Sequence, residues 1–347
     1  MSPEPHSEGA FVRRLLIAVA IVILALLAWH LVDVLLLVFG AVLVAVLLRA
    51  LAGPIAAWTP LSDGWALATV AFALGTGIAV AAWLFGAEVR AQVGELADRL
   101  PEAWRSLEER LGATDLGERL VDRAQDAAPD AGSVLSGLTG VLYSFVGGLA
   151  DLLLIAFGGL YLAAQPDLYR RGVLLLFPAD GPRERIAGTL DAAGAALRLW
   201  LLGQLVAMVF LFVLTGLGLW AIGVPAALAL ALLAGLAQFV PLIGPIVAAV
   251  PALLIALSEG AQIALWTLLL YVAIQQVESN LITPLVQRQA VSLPPAVTLF
   301  AVVAFGLLFG PLGILFATPL AVVAFVAVKK LWVREALGEP TEMPGDG

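Results

Sequence analysis

VESNLITPLVQRQAVSLPPAVTLFAVVAFGLLFGPLGILFATP, running from Val277 to Pro319, is the stretch around which the rest of the chain is organised. A polar, proline-punctuated segment leads into two short apolar segments joined at Gly310-Pro311-Leu312-Gly313. Glu278 stands at the end of an apolar run that begins near Ala261. A carboxylate at membrane depth costs roughly 2.5–3.5 kcal/mol unless it is paired or hydrated, so such a residue is a functional candidate by default.

Composition sets the medium. Hydrophobic residues make up 62% of the chain and charged residues 13%, with a mean hydropathy of +1.02. Soluble domains hold roughly 45–50% apolar and 25% charged residues, so the chain reads as an all-α polytopic membrane protein with the lipid bilayer as its first partner. The net charge of −8 is concentrated in one segment. It therefore speaks to topology, and no nucleic-acid partner is expected. The chain has no Cys, and His6 and His30 are its two histidines, which leaves no disulfide framework, thiolate nucleophile or histidine-rich zinc site. It carries neither a phosphate loop nor a nucleophile paired with a base. No catalytic residue, metal or cofactor is expected, and the chain is not read as an enzyme.

Hydropathy divides the chain into six full crossings: Phe11 to Trp29, Leu31 to Leu48, Trp65 to Gly86, Leu138 to Ala164, Leu199 to Ala221 and Ala261 to Ile282. Each is long enough at 1.5 Å per residue to cross about 30 Å of hydrocarbon. Arg13, Arg14 and Arg49 flank the first pair, and Lys329, Lys330 and Arg334 follow the last apolar piece. By the positive-inside rule both termini are cytoplasmic. Between Glu88 and Asp130 lie eleven acidic residues and six arginines, a net of −5; three crossings put this segment outside. Leu96, Leu100, Trp104, Leu107 and Leu111 recur there at helical spacing, so it is an extracytoplasmic helical insertion with one apolar stripe. Pro101 is expected to open a second helix. The stripe serves either a solvated helical pair or an oligomer contact. On the other face, Gln165 to Arg198 carries five arginines with Ile186, Leu190, Ala193 and Leu197 on one side, the pattern of an interfacial helix.

Two pairs of apolar pieces are too short to cross: Pro225 to Pro241 with Ile246 to Leu257, and Pro295 to Phe309 with Ile314 to Val328. The first pair is joined at Pro241-Leu242-Ile243-Gly244-Pro245, the second at Gly310 to Gly313, where Pro and Gly break helices. Both read as re-entrant helical hairpins. Pro225 and Pro241 are sixteen apart, as are Pro295 and Pro311, while Gly244 and Pro251 have loose counterparts in Gly313 and Pro319. The preceding spans run in opposite directions, so the hairpins enter from opposite faces, as in transporters built from inverted repeats. Chance similarity between proline-rich apolar segments is the alternative. The resulting division is 1–87 for N-terminal membrane helices, 88–137 for the insertion, 138–198 for a crossing plus interfacial helix, 199–330 for the transport core and 331–347 for a cytoplasmic tail.

Gln275, Gln276, Glu278, Ser279, Asn280 and Thr283 gather beside these turns, and Gln238 and Thr318 approach them if the hairpins meet. A carboxylate among amides and hydroxyls can hold H+ or Na+, or hydrogen-bond a small polar solute. The competing reading is a polar cap at the membrane surface that ends at Pro284. Gln204 and Thr215 read as helix-packing residues.

PLIGP at Pro241 to Pro245 with Pro251, VESNLITPLVQRQAVSLPP at Val277 to Pro295, and FGPLGILFATPLAVV at Phe309 to Val323 resemble the motifs of the autoinducer-2 exporter (AI-2E) family of bacterial permeases. The resemblance implies a secondary transporter that forms homo-oligomers and exports an autoinducer-2-like signal or metabolite by alternating access. A branch of the family implies Na+(Li+)/H+ antiport instead. The Glu278 and Asn280 pair matches the family pattern, whereas Pro294-Pro295 stands where many members carry His-Pro. Outside transport, a membrane scaffold that binds a partner through the insertion is the remaining alternative.

Overall fold

The computed structural model describes residues 30–112, 149–178, 182–282 and 293–339, with isolated positions between 15 and 26. The expected first span, the insertion beyond Gly112, Thr283 and the tail beyond Glu339 lie outside the described residues. Every element within them is helical: α1 Val32–Trp58, α2 Asp63–Gly112, α3 Leu149–Ala164, α4 Pro166–Leu175, α5 Pro182–Ile222, α6 Ala227–Ala237, α7 Ile243–Glu259, α8 Ala261–Val277 and α9 Pro295–Ala327. Glu278–Ile282 continues α8 as a π-helical turn, and Val328–Ala336 continues α9 in the same way. By length and apolar composition four stretches can cross a membrane: Val32–Trp58, Asp63–Leu96, Pro182–Ile222 and Pro295–Ala336. The α3 and α4 pair, bent by 87°, is a possible fifth.

Three helices run further than the hydropathy pattern suggests. The second span does not stop at Leu48: α1 continues through Arg49 and Pro54 to Trp58. There Arg49 Nε donates to the Ala163 carbonyl at 2.7 Å, an acceptor that the end of α3 leaves without an intrahelical donor. Pro101 does not open a new helix, since α2 is continuous from Asp63 to Gly112. A proline frees one carbonyl four residues back, and beyond the apolar stretch water can satisfy it. Nor is there a separate interfacial helix ending at Arg198. Pro182–Ile222 is one helix of 41 residues, about 60 Å long, because Leu190 to Trp200 consists almost entirely of good helix formers with no break at 198. Its charged first half is anchored to α4, with Arg170 bidentate on Asp191 at 3.0 and 2.7 Å and Arg183 Nε and Nη2 donating to the Leu174 and Phe177 carbonyls.

Two hairpins follow from local backbone geometry. The turn between α6 and α7 carries Leu242 at φ 71°, and a Cβ on Gly244 would fall on the Ala237 carbonyl seven residues earlier. In α9 the backbone leaves helical geometry at Gly310 (φ 65°, ψ −147°). A Cβ on Gly313 would fall on the Phe305 carbonyl, and one on Gly306 would lie 2.9 Å from Ile314. A continuous helix would separate residues 305 and 313 by about 12 Å. The chain therefore folds back at Gly310.

The apolar core lies between these parts. Leu36, Leu43, Leu197, Trp200, Phe316 and Val322 join α1, α5 and the second arm of α9, and Phe39 meets Phe316 edge to face at 5.9 Å. The pair α1 and α3 is drawn together by small residues, as helices in lipid commonly are. A Cβ on Gly159 would lie 2.6 Å from Val44 and 3.0 Å from the Ala41 carbonyl. Gly159→Leu is therefore expected to separate the pair and lower stability by about 2–3 kcal/mol, read as a fall in the detergent thermal midpoint.

Candidate functional site

α6 ends at Ala237, and Gln238 follows as its C-terminal cap. Phe239 and Val240 N–H close the turn on the Leu236 and Ala237 carbonyls, while Pro241 has no N–H to extend the helix. The Gln238 carbonyl is thus an acceptor the helix cannot use. It receives the side-chain amide of Gln204 from α5, in a buried hydrogen bond. The Gln238 side chain points onward, donating from Nε2 to Glu278 Oε1 at 2.6 Å.

Glu278 begins the π-helical turn at the end of α8 and is buried at 9% exposure. Gln275, one turn before it, donates from Nε2 to Oε2 at 3.1 Å. Each carboxylate oxygen therefore has an amide donor, the charge-assisted arrangement that offsets part of the cost of taking a carboxylate out of water. π-turns inside helices occur often at functional sites. Here the turn begins at the buried acid itself.

Both hairpin turns reach one apolar cluster. Phe239 from the first turn meets Trp200 of α5 edge to face at 5.6 Å. Phe309 and Leu312 from the second, with Leu293 before it, pack against the same cluster. Each turn therefore sets a side chain against the cluster to which Trp200 of the long helix belongs.

Of the residues expected from sequence, Gln238, Gln275 and Glu278 come together. Gln275 is itself exposed, as are Gln276, Ser279 and Asn280, and Asn280 Nδ2 donates to Gln276, at 2.8 Å to its carbonyl and 3.3 Å to its Oε1. Thr318 is buried in the second arm of α9, its hydroxyl without a hydrogen-bond partner among the described residues. The turn residues Pro241, Gly244, Pro245, Gly310, Pro311 and Gly313 lie at the two reversals, with Gly244 and Pro245 already in the first turn of α7. Gln204, which the sequence marks as a helix-packing residue, joins Gln238, Gln275 and Glu278 through the Gln238 carbonyl. An amide in an apolar run signals pairing in general, and its partner here is a carbonyl 34 residues away. The Gln238 Oε1, Thr215 Oγ1 and Thr267 Oγ1 atoms are likewise buried without a partner among the described residues. Gln204→Leu leaves the Gln238 carbonyl unpaired and is expected to cost about 1–3 kcal/mol, measurable as a lower detergent midpoint without loss of helix content.

The model of the family described as AI-2E family transporter matches residues 15–332. The chain belongs to the AI-2E transporter family. Among individual proteins it is similar to "Putative transport protein YrrI" of Bacillus subtilis, 30% identical over 159 residues, covering 46% of this chain and 45% of that one. It is also 42% identical over 149 residues to the Mycobacterium tuberculosis protein of the same title designated MT0215, covering 41% and 39%. YhhT of Escherichia coli K12, again titled a transport protein in the same words, is 25% identical over 222 residues, covering 64% and 60%. The matched stretch spans less than half the length of the first two. AI-2E membership together with the apolar helices makes this an integral membrane protein of a transporter family.

Proposed function

We propose that this AI-2E family protein exports a small polar solute of the autoinducer-2 kind across the bacterial inner membrane by alternating access, driven by H+ or Na+. The observation that carries the reading is the buried Glu278 carboxylate held by Gln238 at a hairpin turn and by Gln275 on its own helix. α6 spans about 16 Å and α7 about 25 Å, so a hairpin entering with Glu259 near one surface would hold its turn deep in the bilayer. Unwound backbone at that depth is tolerated where it is packed in protein or lines a cavity. In this reading six crossings carry two re-entrant hairpins from opposite faces, with both termini cytoplasmic. The likeness of the two turns supports it. Each pairs a positive-φ residue, Leu242 or Gly310, with a glycine two or three positions later pressed on a carbonyl of the preceding arm.

The chemistry of the pair suits a coupling site. Gln238 donates Nε2 to an ionised Glu278; turned over about its terminal torsion, the same amide would offer Oε1 to the O–H of a protonated one. One side chain can thereby serve both proton states. Family resemblance adds homo-oligomeric assembly to the proposal.

The test is flux in proteoliposomes with an internal pH dye under an imposed pH gradient, run with and without Na+ and with and without autoinducer-2. Proton movement that requires the organic solute supports the exporter. Movement that requires Na+ or Li+ alone replaces it with cation/proton antiport through the same carboxylate. No proton movement under any condition refutes coupling to H+.

A further inference from the structure

Beyond its apolar stretch α2 continues from Glu88 to Gly112, and one stripe of this extension grips the open end of the α6 and α7 hairpin. Gln92 Oε1 accepts the backbone N–H groups of both Leu228 and Ala229 at 3.1 Å. These are first-turn donors that α6 leaves unsatisfied, and the Ala226 cap, at φ 54°, has no side chain able to take them. Four residues on, Leu96 is fully buried among Leu219, Leu230, Ile255 and Ala264. Three further on, Arg99 pairs with Glu259 at 2.8 Å while Glu95 holds the same guanidinium at 2.9 Å. Glu259 is the last residue of α7. Positions 92, 96 and 99 fall on one helical face. They address in turn the start of α6, the interior of the hairpin and the end of α7.

We infer that the α2 extension is a clasp that fixes the open end of this hairpin and thereby positions Gln238 against Glu278. α6 is a single rod between the clasped Leu228 and Gln238, so a tilt at one end reappears at the other. The positioning consequence rests on the transport reading above; the clasp does not. Among the described residues, the polar partners of Gln92 and Arg99 are Glu88, Leu228, Ala229, Glu95 and Glu259, and Leu96 packs in a cluster that does not include Gln238, Gln275 or Glu278. The effect of Gln92, Leu96 and Arg99 on Glu278 is transmitted through α6, which makes them positioning residues.

The experiment is amide hydrogen exchange on the full chain in lipid nanodiscs, with wild type, Arg99→Glu, the charge swap Arg99→Glu/Glu259→Arg, and Leu96→Ala. Arg99→Glu sets three carboxylates together. Exchange across residues 226–242 is expected to rise about three- to tenfold, while residues 36–43 and 316–326, in the core cluster between α1 and the second arm of α9, keep the wild-type rate. The swap should return the hairpin to wild-type protection, and Leu96→Ala should raise its exchange further than Arg99→Glu does. Unchanged hairpin exchange in both Arg99→Glu and Leu96→Ala overturns the clasp, as does a rise spread equally over both clusters or a swap that fails to restore protection. Proton flux in proteoliposomes tests the second half. Flux lost in Arg99→Glu and regained in the swap supports positioning, whereas a loosened hairpin with wild-type flux overturns it. If wild type itself moves no protons, the proton-coupled reading falls and the exchange data alone decide the clasp.

Discussion

Glu278→Gln is expected to reduce gradient-driven flux at least about tenfold, to the background of protein-free liposomes, while the protein still folds and inserts. The two halves of the expectation have separate causes. Gln has nearly the shape of Glu and keeps a side-chain oxygen, so the amide of Gln238 retains an acceptor and the turn between α6 and α7 loses little. What disappears is the ability to bind and release a proton or to hold a cation by charge. Removing the carboxylate also removes the desolvation cost of a buried charge, so the variant should melt at or above the wild-type temperature. Lost flux combined with unchanged or raised stability assigns Glu278 to the transport chemistry. Unchanged flux would take it out of the mechanism and leave it as a helix cap. Glu278→Ala is the useful contrast, because it strands the Gln238 and Gln275 amides without an acceptor and should lose both flux and stability.

How much of this was legible before the fold was known differs from residue to residue. Glu278 stands out because it is a charge at the end of an apolar run, although a polar cap at the membrane surface would read the same way, and Gln238 because it precedes a Pro-Leu-Ile-Gly-Pro turn. The hairpin breaks at Pro241 and Gly310 were visible for the same reason: helix-breaking residues in a segment too short to cross. Gln204 is legible as a helix-packing residue but its partner is not, because a single amide carries no information about which distant carbonyl it will satisfy. The same limit hid the roles of Gln92 and Arg99. On the sequence they belong to a strip of solvated charge, and only packing brings them to Leu228 and Glu259. Helix ends were misread where hydropathy changes without a change in backbone preference. Residues 182–198 are polar and 199–222 apolar, yet both halves are good helix formers, so the chain passes through the boundary as one rod. Hydropathy reports the medium around a helix. It does not report where the helix stops.

Gly244→Ala and Gly313→Ala are expected to be as damaging to folding as Glu278→Gln is to transport, each lowering stability by about 3 kcal/mol, the upper end for overpacking. The reason is the nature of the obstruction. A Cβ at Gly244 meets the carbonyl of Ala237, and one at Gly313 the carbonyl of Phe305. A flexible side chain could swing aside; a carbonyl at the end of the opposing arm can move only if the arm moves with it. For the first hairpin that means shifting α6, whose last turn carries Gln238 onto both Gln204 and Glu278. For the second it means parting Phe305 and Phe309, stacked at 5.8 Å, from the arm that follows. Gly53→Ala is the control, because a Cβ there meets open space. It should be nearly neutral in the same expression and thermal-unfolding measurements. If both turn variants fold as well as the control, the close fold-back at the two reversals is wrong. If only Gly244→Ala fails, the two turns are not equivalent and the internal repeat loses its structural basis.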